Sequence, residues 1–281
     1  MKITLITDST CDLQPDKLAT LGIQFAPLKV LFKEKEYIDK IDITNPEFYG
    51  MMRQTKELPT TSQVNPGEFY ELFSQELTKG NQVVGIFLSS DLSGTYNSAV
   101  VAKEMLGNEG IHLIDSRTVS FALGLIVIKV QEKIDSGASI EEILTLSREL
   151  VAHSQLYGML DTLDNLKKGG RLSSGTAMIG KMLNLKPIIE VQNGLVNVAE
   201  KARGSRKGLA WMVEQVTNHY PDGKIDELAI AHANNADKLA DIKQLLLERF
   251  EIGKIHEVEI GSVVGTHAGE GAVGVTFFRT K

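Results

Sequence analysis

The chain has 281 residues, enough for two modest domains or one large one, with a sizeable core. Its formal charge of −6 argues against a general nucleic-acid surface, and its single cysteine, Cys11, excludes an internal disulfide and fits a reducing, cytoplasmic setting. Met1-Lys2 runs straight into a strand-like segment, which leaves no room for a signal peptide, and the longest apolar run, Phe121 to Ile128, is too short for a transmembrane segment.

Ile3, Leu5 and Ile6 mark a first strand, Asp8-Ser9-Thr10-Cys11-Asp12 a polar loop, and Pro15 to Leu21 a short helix. Phe25 to Phe32 and Glu36 to Ile41 predict a hairpin turning at Lys33-Glu34-Lys35. Asn45-Pro46 starts a helix through Met52. Pro59-Thr60-Thr61-Ser62-Gln63 is a further polar loop, and Pro66 opens the helix that carries Phe69, Leu72, Phe73 and Leu77. The most informative stretch is Val83 to Val101. A buried strand, Val83 to Leu88, runs into Ser89-Ser90-Asp91 and Ser93-Gly94-Thr95, then into a helix with Tyr96, Ala99, Ala102 and Leu106 at helical spacing. Open α/β sheets bind ligands in loops at the carboxyl ends of their strands, and a helix start suits an anion. Ser93 and Thr95 supply hydroxyls there and Gly94 an unshielded backbone; the same residues would equally serve as an ordinary helix cap.

Ile111 to Ile114 is another strand. Ser120 to Ile134 is apolar nearly all round in its first half, as a buried helix would be, and Ser139 with Glu142 forms a capping box for the next helix. This alternation predicts a parallel, Rossmann-like sheet with helices on both faces. Beyond Ser154 hairpins mix with helices: strands at Gln155–Leu160, Lys186–Val191, Leu195–Ala199, Leu228–His232, Ile255–Ile260 and Ala272–Phe278, helices at 163–168, 206–220 and 236–250. Gln192-Asn193-Gly194 is a strong hairpin turn. The expectation is α/β overall: a parallel α/β domain over residues 1–154 and an α+β domain with a mixed or antiparallel sheet over 155–281, with the ligand between them.

Several familiar signatures fail. Gly175 to Lys181 has P-loop spacing, but Met182 stands where magnesium needs a hydroxyl. Gly269-x-Gly271-x-x-Gly274 is followed by a strand, so no helix receives a pyrophosphate. Ser93 lacks the flanking glycines of a hydrolase elbow, and the six histidines are scattered without metal-ligand spacing. His267, in a Thr266-His267-Ala268-Gly269 turn, is either a structural histidine or a ligand contact. From Asn165 to Ala210 nine basic residues face only Glu190 and Glu200. That segment is either a solvated face or a docking face for an acidic partner or phosphate group.

Seven segments, spread over the whole chain and in one order, together resemble the DegV family: Asp8-Ser-Thr-Cys-Asp-Leu13, Pro59-Thr-Thr-Ser-Gln63, Leu92-Ser-Gly-Thr-Tyr96, Asp115-Ser116, Leu163 to Leu172, Leu183-Asn-Leu-Lys-Pro187 and His267-Ala-Gly-Glu-Gly271. The resemblance implies a two-domain protein that binds a long-chain fatty acid and takes no other cofactor. It implies no catalysis by the chain alone: a separate kinase subunit, which binds ATP, would convert the bound acid to an acyl phosphate for phospholipid metabolism. By position, Thr61 and Ser93 would hydrogen-bond the carboxylate, Ser62, Gly94 and Thr95 would border it, and His267 would join the same network. Arg171 and Arg203 match the family's basic partner-docking residues, with a transient membrane-surface contact possible in principle. Glu270 departs from the family's His-x-Gly-Pro-Gly; so near a carboxylate, an acidic side chain would repel it unless it points outward. A hydrolase or transferase using Ser93 with His267, and a regulator binding a sugar or nucleotide, are the rival expectations.

Overall fold

The structure, a computed structural model, describes residues 2–55, 57–173 and 185–280. The P-loop-like run Gly175 to Lys181, Lys181 of the basic segment, and Leu183 and Asn184 of the family motif lie outside the described residues.

From the N-terminus, β1 (Ile3–Asp8) leads through a single 3-10 turn (Ser9–Cys11) into α1 (Pro15–Thr20) and β2 (Gln24–Ala26). β3 (Lys29–Phe32) and β4 (Lys35–Ile38) form the hairpin, followed by α2 (Asn45–Gln54) and β5 (Thr60–Ser62). Then come α3 (Pro66–Thr78), β6 (Gln82–Phe87), α4 (Thr95–Leu106), β7 (Ile111–Asp115), α5 (Phe121–Asp135) and α6 (Ile140–His153). The second half contains β8 (Ser154–Met159), α7 (Asp164–Lys168), β9 (Lys186–Gln192), β10 (Leu195–Ala202), α8 (Ser205–His219), β11 (Lys224–His232), α9 (Ala236–Leu247), β12 (Glu251–Glu259), α10 (Ser262–Ala268) and β13 (Val273–Phe278). Capping boxes at Thr44/Glu47, Asn65/Glu68 and Ser139/Glu142 start α2, α3 and α6, the first two with proline in the first turn.

Three sheets result. The parallel sheet has the order β2-β1-β6-β7, and the mixed sheet runs β10-β9-β8-β13-β11-β12, antiparallel except for β11 beside β12. β4-β3-β5 form a small antiparallel sheet. The fold is thus α/β, a parallel Rossmann-like sheet plus a mixed one. α5 packs against β1 and β6 on one side and β8, β11 and β13 on the other. That position explains its unbroken buried run from Phe121 to Ile128: the helix has no solvent face there.

Three expectations need correction. The predicted strand Phe25 to Phe32 is two strands in two sheets: β2 joins β1, and Pro27 and Leu28 intervene before β3. The polar loop around Thr61 is largely strand, because Thr60–Ser62 pairs with Leu31–Lys29. The Thr266–Gly269 turn is the end of helix α10. Its glycines hide the helical period, yet they are what lets it pack: a Cβ at Gly265 would lie 2.6 Å from the Tyr49 hydroxyl.

Candidate functional site

The ends of β1 and β6, strand β5 and helix α10 converge between the parallel and mixed sheets around a cavity of about 320 Å³. Its apolar wall is built by Leu88, Leu92, Phe121, Leu156, Leu160, Ile189, Val191 and Val196, with Val263 and Val264 from α10. Thr61, Ser62, Gln63, Ser93, Gly94, Arg171 and His267 also line it, and no Asp or Glu does among the described residues.

The polar residues lining this one cavity form separate hydrogen-bonded pairs. Thr61 Oγ1 lies 3.0 Å from His267 Nε2. Ser93 Oγ lies 3.0 Å from Thr95 Oγ1 and accepts the Thr95 N–H at 3.3 Å. Thr95 itself is fully buried and is not among the residues lining the cavity; its side chain and N–H hold Ser93. Gly94 is required by crowding: a Cβ there would lie 2.1 Å from Gln63 Oε1, while the Gln63 amide donates to Ser98 Oγ at 2.9 Å. The β6–α4 loop is braced from behind by Asp115, which accepts from Ser90 Oγ at 2.6 Å and Arg117 N–H at 3.0 Å.

His267 is wedged against Gly169, where a Cβ would lie 2.3 Å from Nδ1. Burial, reinforced by the nearby Arg171 charge, lowers its pKa to about 4, so the ring is neutral at pH 7. Nδ1 is buried and without a hydrogen-bond partner among the described residues. Neither ring nitrogen bonds Ser93, so the nucleophile–base pair expected of the hydrolase alternative is not formed. The described residues also hold no group of three or more His, Cys, Asp or Glu suited to a metal.

Arg171 and Arg203 are not equivalent. Arg171 points inward, donating from Nε to Leu92 O at 3.1 Å and from Nη1 to Gly169 O at 2.6 Å, and it lines the cavity. Arg203 is exposed, just before α8, and takes no part in the cavity. Glu270 turns away, ion-paired with Arg53 and accepting from Asn234 Nδ2 at 2.6 Å.

The DegV family model matches residues 2–280. The chain belongs to the DegV family. A DegV domain-containing protein of Caldanaerobacter subterraneus is 37% identical over 280 residues, covering 100% of this chain and 99% of that one. Among solved structures, a DegV protein of Thermus thermophilus, described as binding fatty acid, aligns with a TM-score of 0.93 and 29% identity over 100% of both chains. DegV of Bacillus subtilis, described as a fatty acid binding protein, aligns at 0.89 with 33% identity over 100% of both.

Within this DegV chain, three polar residues lining the cavity carried no expected role: Thr10, Gln63 and Ser120. Thr10 donates to the buried carboxylate of Asp8, which also receives the Leu88 N–H at 2.7 Å, so Asp8 ties β1 to the end of β6. Burial raises the Asp8 pKa to about 6 despite these bonds. The signal was present in the Asp8-Ser-Thr-Cys-Asp12 motif, whose polar residues follow a strand at the same sheet edge as Ser93. Among the described residues no helix is long and apolar enough to cross a membrane.

Proposed function

We propose that the chain binds one long-chain fatty acid between its two units, residues 1–154 and 155–281, and presents the carboxylate to a separate ATP-dependent kinase subunit for conversion to acyl phosphate. One observation carries the binding: an apolar cavity ends in a patch of hydroxyls and a neutral imidazole, with no acidic side chain. Each methylene buried stabilises binding by about 0.8 kcal/mol, so the wall supplies affinity. A buried carboxylate needs several donors, and Thr61, Ser93 and the N–H groups at the start of α4 are available. Ser62 and Gly94 border it, Thr95 orients Ser93, and His267 donates or accepts according to tautomer.

Extraction of the purified protein with organic solvent, followed by mass spectrometry, should yield one long-chain acid per chain. A polar small molecule, or unaided turnover of an ester, would overturn the binding role. Support for the kinase step comes from the family resemblance and from the basic segment, with Arg203 exposed on it. Arg203→Glu should impair phosphoryl transfer by the partner without altering acid content; equal transfer by the variant would remove the docking role. Arg171→Glu should reduce both, since its guanidinium braces the Leu92 carbonyl next to Ser93.

A further inference from the structure

Behind the cavity wall lies a second polar assembly, separate from the carboxylate patch. Asp12, 1% exposed, accepts the Gly261 N–H of α10 at 2.9 Å on Oδ1 and the Ser120 hydroxyl on Oδ2. Asp39, equally buried, accepts Ser262 Oγ at 2.6 Å, and its Oδ2 has no hydrogen-bond partner among the described residues. Lys40 reaches in, donating to Leu13 O at 2.7 Å. The three side chains surround Gly261, where a Cβ would lie 3.1 Å from Asp12, 3.4 Å from Lys40 and 3.6 Å from Asp39.

The backbone here is strained. Asp12, Lys40 and Ser120 all have positive φ, at 59°, 65° and 62°. Ser120, with ψ −148°, occupies a region reserved almost entirely for glycine. Such strain persists where the surroundings over-determine it, and it gathers at clamps and switches. Asp12 also faces two ways. Its partners Ser120 and α10 form the cavity wall, and its other side borders a groove of about 710 Å³. The charged and titratable neighbours are Asp8 and Cys11 on its own segment, Asp39 and Lys40, and Tyr49 on α2. Across the groove stand Asp16, Lys17, His232, His256, Glu257 and Glu259.

We propose that Asp12 is a positioning residue that couples proton uptake to binding of the acid: it takes a proton from the groove when a carboxylate fills the cavity and returns it when the carboxylate leaves. This inference rests on the fatty-acid reading. Ser120 lines the cavity and donates to Asp12 Oδ2, so Asp12 stands one hydrogen bond from the space an anion would enter, and an arriving anion favours neutral Asp12. The balance is one proton in from solvent and one out on release. On protonation, the new Oδ2–H donates to Ser120 Oγ, and the Ser120 hydroxyl proton is freed to face the cavity. The carboxyl already sits near the required midpoint: burial raises its pKa to about 7, against the lowering influence of Lys40 and its two hydrogen bonds.

Asp12→Asn tests this, because its amide can accept from Gly261 N–H and donate to Ser120 Oγ as protonated Asp12 would. Titrate a ten-carbon fatty acid into the ligand-free protein calorimetrically at pH 7, in phosphate and in Tris, and repeat at pH 6 and pH 8.5. The wild-type protein should take up a fraction of a proton and bind at least about fivefold more weakly at pH 8.5 than at pH 6. Asp12→Asn should lose most of both. Uptake and pH dependence unchanged in a folded Asp12→Asn overturn the coupling. If that variant does not fold, Ser120→Ala cuts the same relay: whatever its overall affinity, the ratio of binding at pH 6 to binding at pH 8.5 should shrink relative to the wild-type protein, and an unchanged ratio overturns the relay. Wild-type binding without proton uptake sinks the coupling alone; no binding at any pH sinks the fatty-acid reading and the coupling with it. Independently of ligand, the thermal midpoint of the wild-type protein measured against that of Asp12→Asn, a difference that cancels the like-signed contribution of Asp8, should fall as pH rises through 7.

Discussion

The two halves of the chain contribute unequally to the cavity: the N-terminal half brings most of the polar side chains beside apolar Leu28, Leu88, Leu92, Val119 and Phe121, and the second half is mostly apolar. The N-terminal half contributes most of the hydroxyls and amides: Thr10, Thr61, Ser62, Gln63, Ser93 and Ser120. The mixed sheet of the second half contributes Leu156, Gly158, Ile189, Val191, Val196 and Val273. Among the described residues of the second half, only Arg171 and His267 bring polar side chains, and each is fixed by contacts to the N-terminal half: Arg171 to Leu92 O, His267 to Thr61. On the proposed fatty-acid reading, head-group recognition and tail burial are therefore separable. A change on the first side should alter affinity for every acid alike, and a change on the second should alter which acid is preferred.

The sharpest way to break this division is to strip the head-group side. Thr61→Ala with Ser93→Ala should weaken binding of all acyl chains about a hundredfold or more, since a hydrogen bond to a charged group contributes about 1.5–3 kcal/mol. The thermal midpoint should stay within a few degrees; a loss confined to long chains would contradict the division. Next in size is Gly169→Ala, whose Cβ would collide with His267 Nδ1 and push the ring off Thr61. Its backbone φ of −74° accepts alanine, so folding should hold while affinity falls about tenfold, the worth of about 1.4 kcal/mol. Titration calorimetry of both variants reads these effects.

On the tail side, Gly158 pairs in register with Gly274 across β8 and β13, and both line the cavity. A Cβ at Gly158 would meet Ile189 at an ordinary 3.5 Å, whereas one at Gly274 would strike Tyr157 O at 2.7 Å. Gly158→Ala should therefore be tolerated and disfavour the longest acid by about fourfold, roughly one methylene's worth, leaving shorter ones unaffected. Competition between chain lengths measures it; equal losses at every length would blur the two sides. The smallest effect concerns pH. His267 is held below its usual pKa, so the unfolded chain binds more protons between about pH 4 and 6.5, and this residue's stabilising contribution is lost as pH falls through that window. The difference in thermal midpoint between the wild-type protein and His267→Gln should change across that window and be flat above it. Asp8 and Asp12 act with the opposite sign, which is why only the difference is informative.

The same division explains what could be seen in advance. Strand β6, the loop to α4 and the Asn193-Gly194 hairpin were legible because their signals are local: an apolar β-branched run, a polar turn, and a turn needing positive φ, here 52° and 85°. So was the buried character of α5, though not that two sheets enclose it. Helix α10 was not legible, because glycines at 261 and 265 answer to distant partners, Asp12 and Tyr49. The short strand β5 was hidden for a related reason: Thr-Thr-Ser becomes strand only because β3 offers an edge. The residue set Thr61, Ser93 and His267 came from family resemblance; their meeting at one cavity depends on contacts spanning up to 206 positions, which no local pattern encodes.

The most direct test is a crystal structure of the protein loaded with a sixteen-carbon acid carrying bromine on its terminal carbon. The account predicts the carboxylate within hydrogen-bond distance of Ser93 Oγ and Thr61 Oγ1, and the bromine signal among the apolar side chains of the mixed sheet. Bromine beside Ser93, or a cavity that excludes the acid, would contradict it.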